Sequence, residues 1–283
     1  MPELPEVETV CRVMRGVLVG PTLAEAEVAA DDIVFKGLHP DALKETLIGA
    51  KVDRVGRQGK YWWWELDRGI LVFGHLGMAG WVRDVTPERK DVCQTRLREH
   101  GKLDWDDSEG RPRFLKLMVT TTLGGRIALT DGRRLARVWL ASTVEEGVAH
   151  LGPDVLDSPR NPADLHKLLS GRTAPIKALL LDQKMFAGVG NWIADEVLFQ
   201  AQIKPTRQAG QLTLPEIDRL LARLRGILEV AIEVEANSSL YPDDWLFNRR
   251  WGGNKGLTDF NGHPIVRETV GGRTTAWVPD LQF

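Results

Sequence analysis

The chain has 283 residues, 43% hydrophobic and 27% charged, with a formal net charge of −2, a composition that excludes collagen-like and disordered chains and leaves room for two domains with separate cores. Its 2 cysteines, Cys11 and Cys93, exclude a disulfide scaffold or a four-thiolate zinc site. No apolar run is long enough to span a membrane and the first residues lack a secretory layout, so the expectation is a cytoplasmic chain that makes no membrane contact.

Val7, Val10, Cys11, Met14 and Leu18 recur at helical spacing, which predicts a helix over Pro5–Leu18 that ends at Gly20-Pro21. Glu6 and Glu8 fall in its first turn, where the helix dipole favours acids. From about Leu23 to Leu140 the pattern changes to short β-rich runs, among them Tyr61–Leu66, Ile70–Gly74, Phe114–Thr122 and Arg126–Thr130. These read as strands of a sandwich or barrel, with Trp62, Trp63 and Trp64 packing on both faces of one strand. Residues 147–162 are rich in Pro, Gly and Asp and read as a linker between domains at 1–146 and 163–283. Helical periodicity follows at Leu165–Leu169, Ile176–Leu181, Trp192–Gln200 and Glu216–Val234. Two β-like runs, Ile265–Val270 and Thr274–Val278, flank Gly271-Gly272 and predict a hairpin within about 260–280. The fold class is therefore α+β: an N-terminal β-sandwich with its helix, then a helical domain that ends in a hairpin.

Charge is unevenly spread. Residues 1–88 carry 10 basic and 14 acidic side chains, whereas residues 89–137 carry 12 basic and 7 acidic. One basic segment on a near-neutral protein fits a localised nucleic-acid face, and equally a solvated loop.

If Met1 is removed, Pro2 presents a secondary α-amine at the terminus. Such an amine has a pKa near 8, against about 10.4 for lysine, so much more of it is neutral at pH 7. A neutral amine can attack an aldehyde-like sugar carbon and form an iminium that supports elimination. Glu3 and Glu6 lie where such a nucleophile needs carboxylates for proton transfer and orientation. Taken alone, the same string is also an ordinary helix start.

The start Met1-Pro2-Glu3-Leu4-Pro5-Glu6-Val7-Glu8, together with four further motifs, resembles the formamidopyrimidine-DNA glycosylase/endonuclease VIII family over essentially the whole chain. Arg57-Gln58-Gly59-Lys60-Tyr61 is similar to the family's lysine-bearing hairpin, implying that Lys60 contacts a phosphate near the damaged sugar. His75-Leu76-Gly77-Met78 resembles the void-filling loop, with Met78 as its wedge, while His75 carries no role beyond packing. Asp131-Gly132-Arg133-Arg134-Leu135-Ala136 resembles the second intercalation loop. An enzyme that extrudes a base must fill the hole, for which Met78 and Leu135 are apolar plugs and Arg133 a donor to the orphaned base. Gly188 to Glu196 resembles the helix–two-turn–helix motif, whose amides at Gly188, Gly190 and Asn191 would face a phosphate, with the Asn191 side chain adding a donor. Val270-Gly271-Gly272-Arg273-Thr274-Thr275 resembles the finger, with Arg273 gripping phosphates.

The resemblance implies a bifunctional DNA glycosylase and abasic-site lyase with Pro2 as nucleophile, Glu3 as general acid, and Glu6 and Lys60 in support. Met78, Arg133, Arg134, Leu135, Gly190, Asn191 and Arg273 would bind damaged double-stranded DNA. A monomer is expected, nucleoid-associated in a bacterium and nuclear or organellar in a eukaryote. The chain departs from most bacterial relatives in three ways. Its finger region has no Cys, so no zinc or other cofactor is expected, as in the zincless plant and fungal branch; packing by Ile265, Val270, Trp277 and Val278 would hold the hairpin. The segment of about Ala236 to Gly256 is too short for a loop that closes over 8-oxoguanine, which would weaken its excision relative to formamidopyrimidines and hydantoins. Leu135 and Ile193 replace the usual Phe and Tyr. Oxidised pyrimidines as main substrates, or a paralogue that binds lesions without cutting, are the alternatives.

Overall fold

The computed structural model describes residues 2–87, 111–251 and 259–283. Cys93, residues 89–110 of the basic segment and the Gly256 end of the shortened segment lie outside the described residues. The chain divides into two compact units, one of Pro2 and Glu6–Ala149, the other of Glu3–Pro5 and His150–Phe283.

Helix α1 (Leu4–Leu18) leads into the first unit, followed by β1 (Leu23–Val28), α2 (Pro40–Leu47), β2 (Val52–Gln58), β3 (Tyr61–Leu66) and β4 (Leu71–His75). Then come β5 (Trp81–Asp84), β6 (Leu115–Thr121), β7 (Arg126–Thr130), β8 (Arg137–Ala141) and α3 (Val144–Val148). The strands form two antiparallel four-stranded sheets, β1-β6-β7-β5 and β2-β3-β4-β8. Their facing side chains and the buried side of α1 make one core from Val7, Met14, Trp62, Trp64, Val72, Leu117 and Leu129. Cys11 is part of it, and burial pushes its thiol up to about 12, which makes it unreactive. Helix α2 falls in a stretch whose sequence reads as β. Its pattern is short, but His39 caps its first turn and Leu43 and Leu47 bury one side.

The three tryptophans of β3 occupy both faces of their sheet, as the period-2 geometry of a strand requires. Trp62 and Trp64 point into the core, while Trp63 packs with Phe73 at 5.4 Å, and Phe73 stacks on Trp139 at 5.5 Å. Gly74 pairs across from Trp62 and Gly56 across from Trp63. A Cβ at either glycine would overlap the facing indole, so the glycines make the space that the indoles fill.

The second unit contains α4 (Pro162–Leu169), α5 (Ile176–Leu181), α6 (Asn191–Gln200), α7 (Leu214–Glu233) and four short strands, β9 (Asp259–Phe260), β10 (His263–Pro264), β11 (Val266–Val270) and β12 (Arg273–Trp277). Helix α6 is buried on nearly every side, Asp195 and Glu196 included. Helix α7 starts with a capping box between Thr213 and Glu216 and buries Ile217, Leu220, Leu224 and Leu228. β11 and β12 form the hairpin, and both turn glycines have positive φ, 61° for Gly271 and 73° for Gly272.

The segment read as a linker, 147–162, is not a free connection. Its first residues close α3, and from His150 onward it packs on the second unit. Gly152 donates to the Gln183 carbonyl at 2.9 Å, Val155 donates to that of Ala187 at 3.2 Å, and buried Asp154 accepts from the Leu156 and Asp157 amides. Pro, Gly and Asp shape the turns here, and Val155 supplies the apolar anchor. The opening residues likewise depart from a simple 1–146 domain, because Glu3–Pro5 group with the second unit.

Gly74→Ala is expected to destabilise the first unit by about 1–3 kcal/mol, because the new methyl must displace the Trp62 ring in a closed core. Urea unfolding checks this; an unchanged midpoint would mean the indole shifts freely.

Candidate active site and nucleic-acid interface

In the second unit, the site is built on the amino end of α6. Gln183 shapes the turn that precedes it: its amide donates to the Leu181 and Val189 carbonyls at 2.8 Å, and its oxygen accepts from Gly188 N at 3.2 Å. Gly188 takes φ 112°, open to glycine, and Leu4 N donates to its carbonyl at 3.2 Å. Gly190 then caps the helix without a side chain. That absence is required, since a Cβ there would collide with the Glu3 carboxyl.

Glu3 is 2% exposed, and its carboxylate accepts from the amides of Trp192 at 2.9 Å and Ile193 at 3.2 Å. A helix amino end, with its unpaired N–H groups and positive dipole end, is a place where a carboxylate is favoured. The sequence reading aims the amides of this turn at a phosphate. Two of the α6 amides instead hold Glu3, and those of Gly190 and Asn191 lie outside that pair. The Asn191 side chain also differs from expectation: its amide donates to the Thr274 carbonyl of β12 at 2.9 Å, tying the helix to the hairpin. Arg273, the first residue of β12, is exposed at the hairpin turn.

A buried charge cluster that sequence reasoning missed anchors the hairpin. Asp195, on α6, takes Lys177 of α5 on one oxygen at 2.6 Å and Arg250 on the other at 2.6 Å. Lys177 also donates to Thr275 Oγ1 at 2.6 Å, and Ala276 N donates to Asp195 at 3.2 Å. Lys177 and Asp195 side chains are wholly buried; desolvation lowers the lysine's affinity for its proton, against the pull of Asp195. Three consecutive residues of β12 (Thr274, Thr275 and Ala276) thus bond to α5 or α6. Apolar packing contributes as expected through Ile265 and Val278, together with Phe199, Leu246, Phe260 and Ala276. A tetrahedral zinc site does not fit this region: residues 259–283 contain no Cys and one His, and His263 is paired with Asp280 at 3.1 Å. The signal for the cluster was present as charged residues inside apolar helical runs, Lys177 in Ile176–Leu181 and Asp195 in α6.

Glu196, next to Asp195, is fully buried and accepts from Phe247 N and the Gln200 amide, both at 2.8 Å. Burial raises its pKa from 4.5 to about 7.

In the first unit, Lys60 lies in the two-residue turn between β2 and β3 and is 7% exposed. Gly59 before it has φ 57°, the conformation glycine supplies at the first central position of a tight hairpin. Arg57 reinforces this turn, donating to the Gly59 carbonyl at 3.2 Å and to Glu8 at 3.0 Å. Burial alone would raise the Glu8 pKa, but Arg15 and Arg57 hold it below the usual value. Glu6 and Pro2 are buried at the amino end of the chain.

The Met78 and Leu135 loops are neighbours. Gly77 takes φ 61° and donates to His75 Nδ1 at 3.0 Å, and a Cβ on it would strike the Leu135 carbonyl. His75 therefore has a definite task, shaping this loop. Met78 is 44% exposed beyond it, and Leu135 is half-buried. Asp131 organises the other loop: its carboxylate accepts from Arg133 N at 2.8 Å and from Leu135 N and Ala136 N at 2.6 Å. Arg133 is exposed on it. The sequence reading groups Arg134 with the DNA contacts, but its guanidinium binds Asp31 through Nε and Nη2 at 3.0–3.1 Å and Asp32 at 3.2 Å. Burial would raise the Asp31 pKa, yet Arg134 and Lys116 hold it well below the carboxylate range.

Comparison with known proteins agrees with this architecture. Residues 1–138 match the formamidopyrimidine-DNA glycosylase N-terminal domain, and residues 151–243 match the H2TH domain of the same enzymes. The chain is 35% identical to formamidopyrimidine-DNA glycosylase of Arabidopsis thaliana, covering 100% of this chain and 71% of the relative. Identity to the enzyme of Rhizorhabdus wittichii is 34%, covering 100% of both. Among solved structures, MutM in complex with DNA containing carbocyclic 8-oxo-G superposes with a TM-score of 0.79 at 28% identity, covering 100% of both chains. The Lactococcus lactis formamidopyrimidine-DNA glycosylase, bound non-covalently to DNA with an abasic site, gives 0.77 at 26%, covering 99% of each. The fold and motifs are those of base-excision DNA glycosylases. The chain belongs to the formamidopyrimidine-DNA glycosylase family.

Two outcomes follow. Asp195→Ala leaves Lys177 and Arg250 buried without their counter-charge and is expected to destabilise by about 3–5 kcal/mol, read by urea unfolding; a loss below 1 kcal/mol would mean the cluster is solvated. For Glu196, both folded and unfolded forms are protonated below pH 4.5. Between 4.5 and about 7 the unfolded chain ionises while the folded chain keeps its proton, so stability falls as pH rises through this window. Glu196→Gln is expected to flatten that decline in thermal melts from pH 4.5 to 7.5.

Proposed function

We propose that this chain is a bifunctional DNA glycosylase and abasic-site lyase that excises oxidised purines through a covalent intermediate on Pro2. The observation that carries the reading is the buried Glu3 carboxylate, held on the first turn of α6 and adjacent in sequence to Pro2, in a chain of this family. With Met1 removed, the neutral Pro2 amine attacks C1′ of the damaged nucleotide, the base leaves with its bonding pair, and the C1′–O4′ bond then breaks onto O4′ to leave an iminium between Pro2 and C1′. The resulting iminium withdraws electrons, so that loss of the C2′ proton breaks the strand by β-elimination, with δ-elimination following. Glu3, a carboxylate accepting from two fixed amides, takes the proton that the amine loses on bonding C1′, gives it to O4′ as the ring opens, and relays protons afterwards. Glu6 supports the amine, and Lys60, fixed in its turn, pairs with a phosphate beside the lesion.

The DNA grip in this reading comes from side chains that the fold presents outward or at helix ends. Met78 and Leu135, brought together by Gly77, fill the space left by the extruded base, and Arg133 donates to the orphaned partner. Gly190 and Asn191 offer backbone amides to a phosphate, and Arg273 grips phosphates from the hairpin turn. Arg134 is assigned a scaffolding role, because Asp31 and Asp32 already hold its guanidinium. No metal enters any step, and damaged duplex DNA is the partner. The short segment after α7 favours formamidopyrimidines and hydantoins over 8-oxoguanine, since fewer polar groups are available to close on the base.

Borohydride added to the Met-processed enzyme and an abasic duplex should trap a covalent complex, and Pro2→Gly should lower the trapped yield at least tenfold. Equal trapping by the variant overturns the nucleophile assignment. In single-turnover excision opposite cytosine, formamidopyrimidine release should outpace 8-oxoguanine release; fast release of 8-oxoguanine overturns the lesion preference.

A further inference from the structure

The Arg133 loop has a neighbour that none of the roles above uses. Phe114 stands immediately before β6, 51% exposed, with φ 60°. A bulky L-residue in the left-handed region is strained, and glycine or asparagine would take this conformation more easily. A half-exposed ring recovers little by burial, so packing among the described residues does not account for a phenylalanine here. The backbone around it is nevertheless fixed: Asp131 N donates to the Phe114 carbonyl at 3.0 Å, and Leu115 N to the Pro112 carbonyl at 3.2 Å.

The ring itself is also positioned. It lies against Gly132, where an added Cβ would come within 3.2 Å of its edge and crowd it. The Arg113 guanidinium stands 5.0 Å from the ring centroid. Asp131 thus does two things at once, holding Phe114 through its amide and shaping the Arg133–Ala136 backbone through its carboxylate. A half-exposed aromatic ring with an arginine over it, locked to the loop that carries Arg133, is the combination that stacks nucleobases without regard to sequence. Strain that folding does not require is found where a side chain serves binding.

We propose that Phe114 is a stacking platform for a nucleobase of the strand opposite the lesion, next to the orphaned base that Arg133 addresses. The ring meets the base face to face, so the contact adds grip on the opened duplex and carries no sequence preference. This inference rests on the assignment of the Arg133 loop made above.

The test compares wild type with Phe114→Gly, Phe114→Leu and Phe114→Trp, using an abasic duplex with 2-aminopurine in the undamaged strand beside the position opposite the lesion. Wild type and Phe114→Trp should quench the 2-aminopurine on binding, and Phe114→Gly should not. Single-turnover nicking at subsaturating enzyme should fall roughly tenfold in Phe114→Gly, be restored by Phe114→Trp and stay low in Phe114→Leu. The thermal midpoint of Phe114→Gly should equal or exceed that of wild type, because the strain is relieved. Unchanged quenching and nicking in Phe114→Gly overturn the proposal, as does a lowered midpoint with loss of nicking that tryptophan does not restore. Failure of wild type itself to trap with borohydride would instead refute the lyase reading.

Discussion

Much of the second unit follows from one carboxylate on one helix end. Glu3 accepts two α6 amides, and this holds Glu3–Pro5 on the helix start. Space for it exists because Gly190 has no Cβ, and the turn before it holds because Gln183 bonds on both sides. A residue with a side chain at 190 would displace the Glu3 carboxyl from the helix start. The usual anion site of a helix start is thereby partly filled by the protein itself. Any phosphate at this helix is left the outermost amides.

The hairpin shows a different solution to a familiar problem. A two-stranded ribbon is marginal alone and needs an anchor. Here Asp195 supplies it, with Lys177 and Arg250 balancing its charge and Ala276 N of β12 donating to the oxygen that Arg250 also binds. Such a cluster is costly to bury, and its advantage is geometric, because each partner has one place to be. The direct bonds reach Thr274, Thr275 and Ala276, immediately after Arg273. An arginine meant to meet a phosphate is thus carried on a ribbon with fixed register.

In the first unit, two loops depend on polar groups whose purpose is local. His75 accepts from Gly77, and Asp131 accepts from three amides of the following loop. Without Gly77 the two loops could not approach, since its neighbour is the Leu135 backbone. Exposed Met78 and Arg133 are held on a frame that is itself well bonded. Arg134, one residue further, is part of that frame, which explains how adjacent arginines can take opposite tasks.

Local pattern determined much of this protein. Apolar spacing marked α1, the strands Tyr61–Leu66 and Arg126–Thr130, and helices α5, α6 and α7, because 3.6- and 2-residue periods are properties of short segments. Gly271-Gly272 announced the hairpin for the same reason, as its turn needs two positive φ values. The motif strings also named Pro2, Glu3, Lys60, Met78 and Arg133 as candidates. Tertiary structure alone decided what those side chains touch. That Arg134 goes to Asp31, that Asn191 spends its amide on Thr274, and that Lys177 and Arg250 converge on Asp195 are pairings across 18 to 103 residues, each between separate segments. No local spacing encodes them, because they arise only when separate elements are packed and buried charge must find a partner.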